Sequence, residues 1–201
     1  MSVELIAILT ACVFLVSLLY SSVGHAGASG YIAVMTLFDI APEEIRPTAL
    51  ALNILVASIG TWQFYRAGHF AWSLFWPFAI LSVPMAFAGG YISVPTSAFK
   101  MLVGAVLLIS AVQLVFRPPS ESDSRPPNRL IAAGSGAGIG LLSGLTGTGG
   151  GIFLTPLLIF MRWARTKTAA GVSALFILMN STAGLAGNIT STHNIPVLIW
   201  P

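Results

Sequence analysis

The sequence predicts an all-α integral membrane protein made of two inverted repeats, each with about five hydrophobic helical segments, the second repeat being truncated. Three observations support this prediction. The 201-residue chain is 56% hydrophobic and only 7% charged, whereas a soluble domain carries about 25% charged residues. Long apolar segments recur along the chain. The order of these segments is repeated after one proline-rich linker.

The first repeat is predicted to occupy residues 1–116. Glu4 stands where a signal peptide would carry a basic residue, so the first segment is interpreted as a membrane helix. Pro42 is well placed as a first helical residue, and the acidic pair Glu43 and Glu44 favours a helix N-terminus. The predicted helices lie at about residues 3–21, 28–38, 42–65, 70–92 and 95–116.

A linker is predicted at residues 117–129, which read "RPPSESDSRPPNR". Two Pro-Pro pairs with serines and charges are typical of a connecting segment. The second repeat, residues 130–201, then restarts the pattern with helices at about residues 130–144, 152–161 and 166–188. It holds fewer than five segments, and we therefore expect it to be incomplete.

The two repeats align without a gap when the chain is shifted by 120 residues. This shift gives eight identities over the 32 positions from residue 24 to residue 55. Three of them are glycines, so that Gly24, Gly27 and Gly30 fall on Gly144, Gly147 and Gly150. In each repeat a glycine loop precedes a short helix, a loop with charged residues and a long helix.

An odd number of segments makes successive repeats enter the membrane from opposite sides. If the N-terminus is outside, the loops at residues 65–70, 117–129 and 162–167 are cytoplasmic and hold seven of the nine basic residues. This agrees with the positive-inside rule. The sequence thus predicts a multi-pass plasma-membrane protein with a cytoplasmic linker. Arg46 and Lys100 are exceptions, and we expect their side chains to reach the membrane interface.

The two glycine loops are candidates for a shared binding site near the middle of the membrane. Irregular backbone is tolerated at that depth only when it is buried in protein or lines a cavity. Free N–H groups at a helix start favour an anion, and Ser, Thr, His and Asn side chains can add hydrogen bonds. The predicted substrate-binding residues are Gly24, His25, Gly27, Ser29, Gly30, Asn53, Thr146, Gly147, Thr148, Gly149, Gly150, Ser173 and Asn180.

Three alternatives stay open from these residues. The glycines could simply permit close helix packing. The segment "GASG" at residues 27–30 has the form found in rhomboid intramembrane serine proteases, with Ser29 as nucleophile and His69 as a candidate base. The shift of 120 residues, however, places Gly149 opposite Ser29. The chain could also be a structural membrane subunit that transports nothing.

Other classes of function are excluded by composition. The basic residues are scattered and form no basic face, so no nucleic-acid partner is expected. Cys12 is the single cysteine and allows neither an intrachain disulfide nor a cysteine-based metal site. No P-loop motif is present to bind ATP. We expect no catalytic activity, cofactor or metal; the expected partners are a small anion and the lipid bilayer, and a homo-oligomer stays open.

The second repeat carries a fairly specific pattern, "SGLTGTGGGIFLTPLLIF" followed by "AAGVSALFILMNSTAGLAGN". Together with "GHAGASGYIAVMTLF" and "RPTALALNILVASIGTWQFYRAGHF" in the first repeat, it resembles the TauE/SafE family of sulfite-exporter-like permeases. The resemblance covers nearly the whole chain, although the family's final segments are missing. It implies a secondary transporter, not an enzyme, that moves small sulfur-containing anions such as sulfite or sulfonates.

Overall fold

The computed structural model describes residues 3–22, 26–92 and 125–192, together with isolated positions between 95 and 112. Gly24, His25 and most of the linker lie outside these residues. The predicted helix at residues 95–116 also lies largely outside them.

The described residues contain seven α-helices and no strand, as predicted for an all-α protein. Their bounds agree with the predicted ones to within a few residues. The helices are α1 (Val3–Ser22), α2 (Ala28–Leu37), α3 (Pro42–Arg66), α4 (Trp72–Tyr91), α5 (Arg129–Thr146), α6 (Gly151–Phe160) and α7 (Thr166–Thr192).

Two of the described helices, α4 and α7, are long and apolar enough to cross a membrane by length and composition. Helices α2 and α6 have only ten residues each. At 1.5 Å per residue each extends about 15 Å, which is half of a hydrocarbon core of about 30 Å. The short helices therefore cannot span the membrane by themselves.

Helices α4 and α5 run side by side in the same direction and touch through glycines. The Cα positions of Gly136, Gly140 and Gly144 face the backbone at Phe78, Ser82 and Ala86, respectively. Both sets advance by four residues, so every turn of α5 presents a glycine to α4. Such small-residue stripes let helix backbones approach closely in a membrane. The packing interpretation of glycine is therefore correct for these three residues.

The basic loops meet at one end of the helix bundle, which we call the basic end. The Arg125 amide donates a hydrogen bond to the Arg162 carbonyl, 2.8 Å away. The Trp163 ring lies 5.8 Å from the Phe78 ring. The carbonyl of His69 lies against Gly171 in the first turns of α7. The described parts of the three loops predicted to share one side of the membrane thus lie together.

The opposite end of the bundle is built from α1, α2 and α3. Leu9 of α1, Met35 of α2 and Ile45 of α3 share one buried cluster there. Arg46 lies close by and is only 7% exposed. The expectation that Arg46 reaches the membrane interface is therefore wrong. Its guanidinium instead donates hydrogen bonds to two carbonyls at the end of α4, which have no partner within their own helix.

The helix boundaries contradict the gapless alignment on which the predicted repeats were based. Gly27 and Gly150 each precede a ten-residue helix and have φ angles of 90° and 80°. They are 123 residues apart, and the first residues of α3 and α7, Pro42 and Thr166, are 124 apart. The gapless shift of 120 is therefore wrong by three or four residues. The glycines of each loop recur every three residues, so a shift of 123 still places Gly24 on Gly147 and Gly27 on Gly150.

The glycine contact between α4 and α5 can be tested at Gly144. A Cβ atom added there would lie 2.6 Å from the Gly90 nitrogen and 2.9 Å from the Gly89 carbonyl carbon. We expect Gly144→Ala to destabilise the detergent-solubilised protein by about 1–3 kcal/mol, the usual cost of overpacking. Thermal unfolding followed by size-exclusion chromatography measures the change.

Gly138 provides the matched control, because it lies in the same helix and a Cβ there would meet nothing within 4 Å. Gly138→Ala should leave stability unchanged or raise it by up to about 1 kcal/mol, since alanine is the better helix former. Equal stability of the two variants would contradict close α4–α5 packing.

Candidate functional site

The loop between α5 and α6, residues 147–150, has a backbone that only glycine adopts easily. Gly147, Gly149 and Gly150 have φ angles of 80°, 74° and 80°. Gly147 ends α5, and Gly150 precedes α6. No described side chain caps the start of α6. The first N–H groups of α6 are thus left without a side-chain partner, and they can serve a ligand.

Gly149 faces polar side chains from two different helices. A Cβ atom added to it would lie 2.8 Å from Asn53 Nδ2, 2.9 Å from Ser181 Oγ and 2.7 Å from Ile177 Cγ2. Asn53 belongs to α3, and the other two residues belong to α7. Because Gly149 has no side chain, the loop backbone lies next to the Asn53 amide and the Ser181 hydroxyl. A larger residue at this position would fill the space between them.

Several buried polar atoms around this loop have no partner. Asn53 Nδ2 donates to the Gly147 carbonyl at 3.4 Å, whereas its Oδ1 has no hydrogen bond with any described group. The hydroxyls of Ser143 and Ser181 are likewise unpaired among the described residues. All three side chains are fully buried. An unsatisfied buried group costs about 1–3 kcal/mol, and a bound molecule could satisfy these atoms.

Thr146 and Thr148 lie in the loop as predicted and are buried. Thr146 donates its hydroxyl hydrogen to the Leu142 carbonyl at 2.7 Å. The two threonine hydroxyls are 3.0 Å apart, and either can be the donor. These hydrogen bonds brace the loop.

Ser173 and Asn180 connect α7 to its neighbours. Ser173 Oγ accepts a hydrogen bond from Thr155 of α6 at 2.8 Å. Asn180 Oδ1 accepts one from Ser82 of α4 at 2.9 Å. Asn180 Nδ2 has no partner among the described residues.

The loop between α1 and α2 is held by aromatic side chains. Ser29 donates to the Tyr20 hydroxyl at 3.1 Å, and the Tyr31 hydroxyl donates to the Ala26 carbonyl. Gly27 has a φ angle of 90°. Gly30 lies inside α2, where an added Cβ would collide with Val16 of α1. Gly30 therefore serves helix packing, and Ser29 is engaged with a tyrosine.

The two glycine loops approach each other around Ile177 of α7. Ala26 of the first loop, Ala57 and Ile177 form one buried cluster. Ile177 also faces Gly149 and Gly151 in the second loop and α6. The structure thus brings together the described part of the first loop, the second loop and Asn53.

Ser143 and Ser181 are missing from the residues predicted by sequence. Ser143 stands four residues before Gly147, and Ser181 stands one turn after Ile177. Helical spacing from the glycine loop and from α7 would have nominated both. Nothing in their residue type distinguishes them from serines that bond to their own helix, such as Ser135.

Ser29 and His69 do not form a catalytic pair in the described structure. Ser29 lies at the start of α2 and bonds to Tyr20. His69 follows α3 at the basic end, with its carbonyl against Gly171. In the described structure, His69 is therefore not placed to act as the general base that the protease hypothesis requires.

Comparisons with known proteins agree with the resemblance seen in the sequence. The profile of the family described as sulfite exporter TauE/SafE matches residues 9–200. A curated protein of Sinorhizobium fredii (strain NBRC 101917 / NGR234), named "Probable membrane transporter protein y4hK", is 41% identical over 188 residues. This match covers 91% of the present chain and 76% of the relative. No solved structure matches.

The unpaired hydroxyl of Ser181 can be tested by removing it. Ser181→Ala should leave the free energy of unfolding unchanged or raise it by about 1 kcal/mol, because an unsatisfied buried group disappears. Transport by the reconstituted variant should nevertheless fall. Thermal unfolding and vesicle transport measure the two effects separately.

Thr182→Ala serves as the control for this variant. Thr182 is the next residue, is exposed, and donates to the Leu178 carbonyl of its own helix at 2.8 Å. Its removal should leave transport unchanged. Loss of stability in Ser181→Ala with normal transport would mean that Ser181 has only a structural role.

Proposed function

Because the chain belongs to the sulfite exporter TauE/SafE family of membrane transporters, we propose that it is a secondary transporter of small sulfur-containing oxyanions such as sulfite and sulfonates. The observation that carries this proposal is the group of buried, unpaired polar atoms around Gly149. They surround a glycine loop at the start of α6.

The chemistry of this loop favours an anion. The N-terminus of a helix carries a partial positive charge of about half a unit, and its first N–H groups point outward. The unpaired hydroxyls of Ser143 and Ser181 can each donate one further hydrogen bond. Asn53 accepts no hydrogen bond at Oδ1, and it can receive one from a protonated ligand oxygen. A compact oxyanion could use backbone and side-chain groups of this kind together.

The directions of the short helices support two inverted repeats. The C-terminal half of α2 packs with α1 and the beginning of α3 at one end of the bundle. The C-terminal half of α6 packs with Trp163 and the beginnings of α4 and α7 at the basic end. Their N-termini both point toward the region around Ile177. Broken helices that meet at such a midpoint are typical of transporters with alternating access.

The proposed orientation places the basic end in the cytoplasm and the N-terminus outside the plasma membrane. The contact of Arg125 with Arg162 and of the end of α3 with the first turns of α7 supports it, because basic loops are retained in the cytoplasm. Energy for transport would come from an ion gradient. One repeat would move against the other and expose the site to each side in turn.

The central prediction concerns Gly149. Gly149→Ala would place a methyl group against Asn53, Ser181 and Ile177. It would also force alanine into a φ angle of 74°, at a strain of about 1–3 kcal/mol. We expect efflux of labelled sulfite and methanesulfonate from proteoliposomes to fall by about tenfold or more.

Gly68→Ala is a closely matched control. Gly68 has a φ angle of 73°, but a Cβ atom there would meet nothing within 4 Å. The same backbone strain is therefore introduced outside the site, and transport should stay near the wild-type rate. If wild-type vesicles move neither anion, or if both variants transport equally well, the proposed anion site is wrong.

A further inference from the structure

Arg46 is the one charged side chain that is buried among the residues that the structure describes. It is 7% exposed and lies in the first turns of α3. Charged residues inside a membrane are costly to place and are usually paired or functional. The family match and the proposed site give this residue no role.

The partners of the Arg46 guanidinium are neutral. Its two terminal nitrogens donate to the carbonyls of Ile92 at 3.0 Å and Gly90 at 2.7 Å. No carboxylate in the described part of the chain forms an ion pair with it. The end of α4 contributes a partial negative charge of only about half a unit. A substantial positive charge is therefore left uncompensated, and an arginine has five N–H donors to share.

Arg46 lies directly beside the second glycine loop. A Cβ atom added to Gly147 would be 3.1 Å from the Arg46 carbonyl oxygen and 3.2 Å from its Cγ. Asn53, two turns later on the same helix, donates to the Gly147 carbonyl. Gly147 thus lies between the main chain and Cγ of Arg46 on one side and the side-chain amide of Asn53 on the other. One helix therefore carries both a charge and a hydrogen-bonding group to this loop.

We propose that Arg46 supplies the single positive charge of the site, which balances a monovalent anion but leaves one charge of a dianion uncompensated, so that the site prefers monovalent anions. This inference rests on the proposed anion transport. The other groups around Gly149 are neutral, so the charge of one bound anion would be balanced by Arg46. A dianion would bring a second negative charge into the site. No described group carries a charge that would offset the cost of desolvating it. For two unit charges about 8 Å apart at an effective dielectric constant of about 20, the interaction changes affinity about 30-fold.

The test compares two labelled sulfur oxyanions in proteoliposomes. Methanesulfonate is a monoanion at neutral pH, and sulfate is a dianion. Wild-type protein should take up methanesulfonate with at least tenfold higher kcat/KM than sulfate. Arg46→Gln should lower kcat/KM for methanesulfonate by tenfold or more. Arg46→Lys, which keeps the charge but not the planar fork, should stay within about threefold of wild type.

Arg66→Gln is the matched control. Arg66 is on the same helix, is exposed at the basic end, and stacks over Trp62 at 5.8 Å. Its neutralisation changes the net charge equally and should leave both substrates unaffected. Size-exclusion chromatography checks folding. If Arg46→Gln does not fold, the selectivity of wild type and the activity of Arg46→Lys decide the question.

Three results would overturn the inference while leaving anion transport intact. They are equal handling of methanesulfonate and sulfate by wild type, unchanged methanesulfonate uptake by folded Arg46→Gln, and failure of Arg46→Lys as complete as that of Arg46→Gln. The last result would mean that the arginine only holds the end of α4. Absence of uptake of either anion by wild type would instead contradict the proposed function itself.

Discussion

Close backbone contact at glycines is the constraint on which the rest of the structure depends. Helices α4, α5 and α7 cross where Gly90, Gly144 and Gly184 meet, and a Cβ on Gly90 or Gly144 would collide with backbone atoms. Lipid is as apolar as the helix surfaces, so helix association relies on tight packing and hydrogen bonds instead of the hydrophobic effect. Without side chains at this crossing, three helices approach more closely than larger residues would allow.

The geometry of the candidate site depends on that crossing. Gly144 lies two residues before the end of α5, so its contact with α4 determines where Gly147 and the loop begin. Gly90 lies at the end of α4, and its carbonyl receives Arg46. The bond from Ser82 to Asn180 ties α4 to α7 a few turns away. The loop is therefore held by three helices, and its unpaired polar atoms are buried.

Sequence patterns predicted the helices well because each is marked by apolar length, proline or glycine at its ends. They also predicted the family. They failed on the repeat offset, since all three glycines align at a shift of 120 and two of them still align at 123. They failed on Arg46 because its carbonyl partners lie 44 and 46 residues away. The choice of Ser143 and Ser181 over other serines depends on which hydroxyls face the loop, and only the folded chain determines that.

The two glycine loops differ in how their polar groups are used. In the described part of the first loop, Ser29 is bonded to Tyr20 and the Ala26 carbonyl to Tyr31. Around the second loop, Asn53, Ser143 and Ser181 each keep an unpaired atom. An unsatisfied group destabilises the protein unless a ligand or water binds it. Among the described residues, the unpaired polar atoms therefore lie around the second loop, which is why the proposed site is centred there. Ala26 of the first loop packs against Ile177.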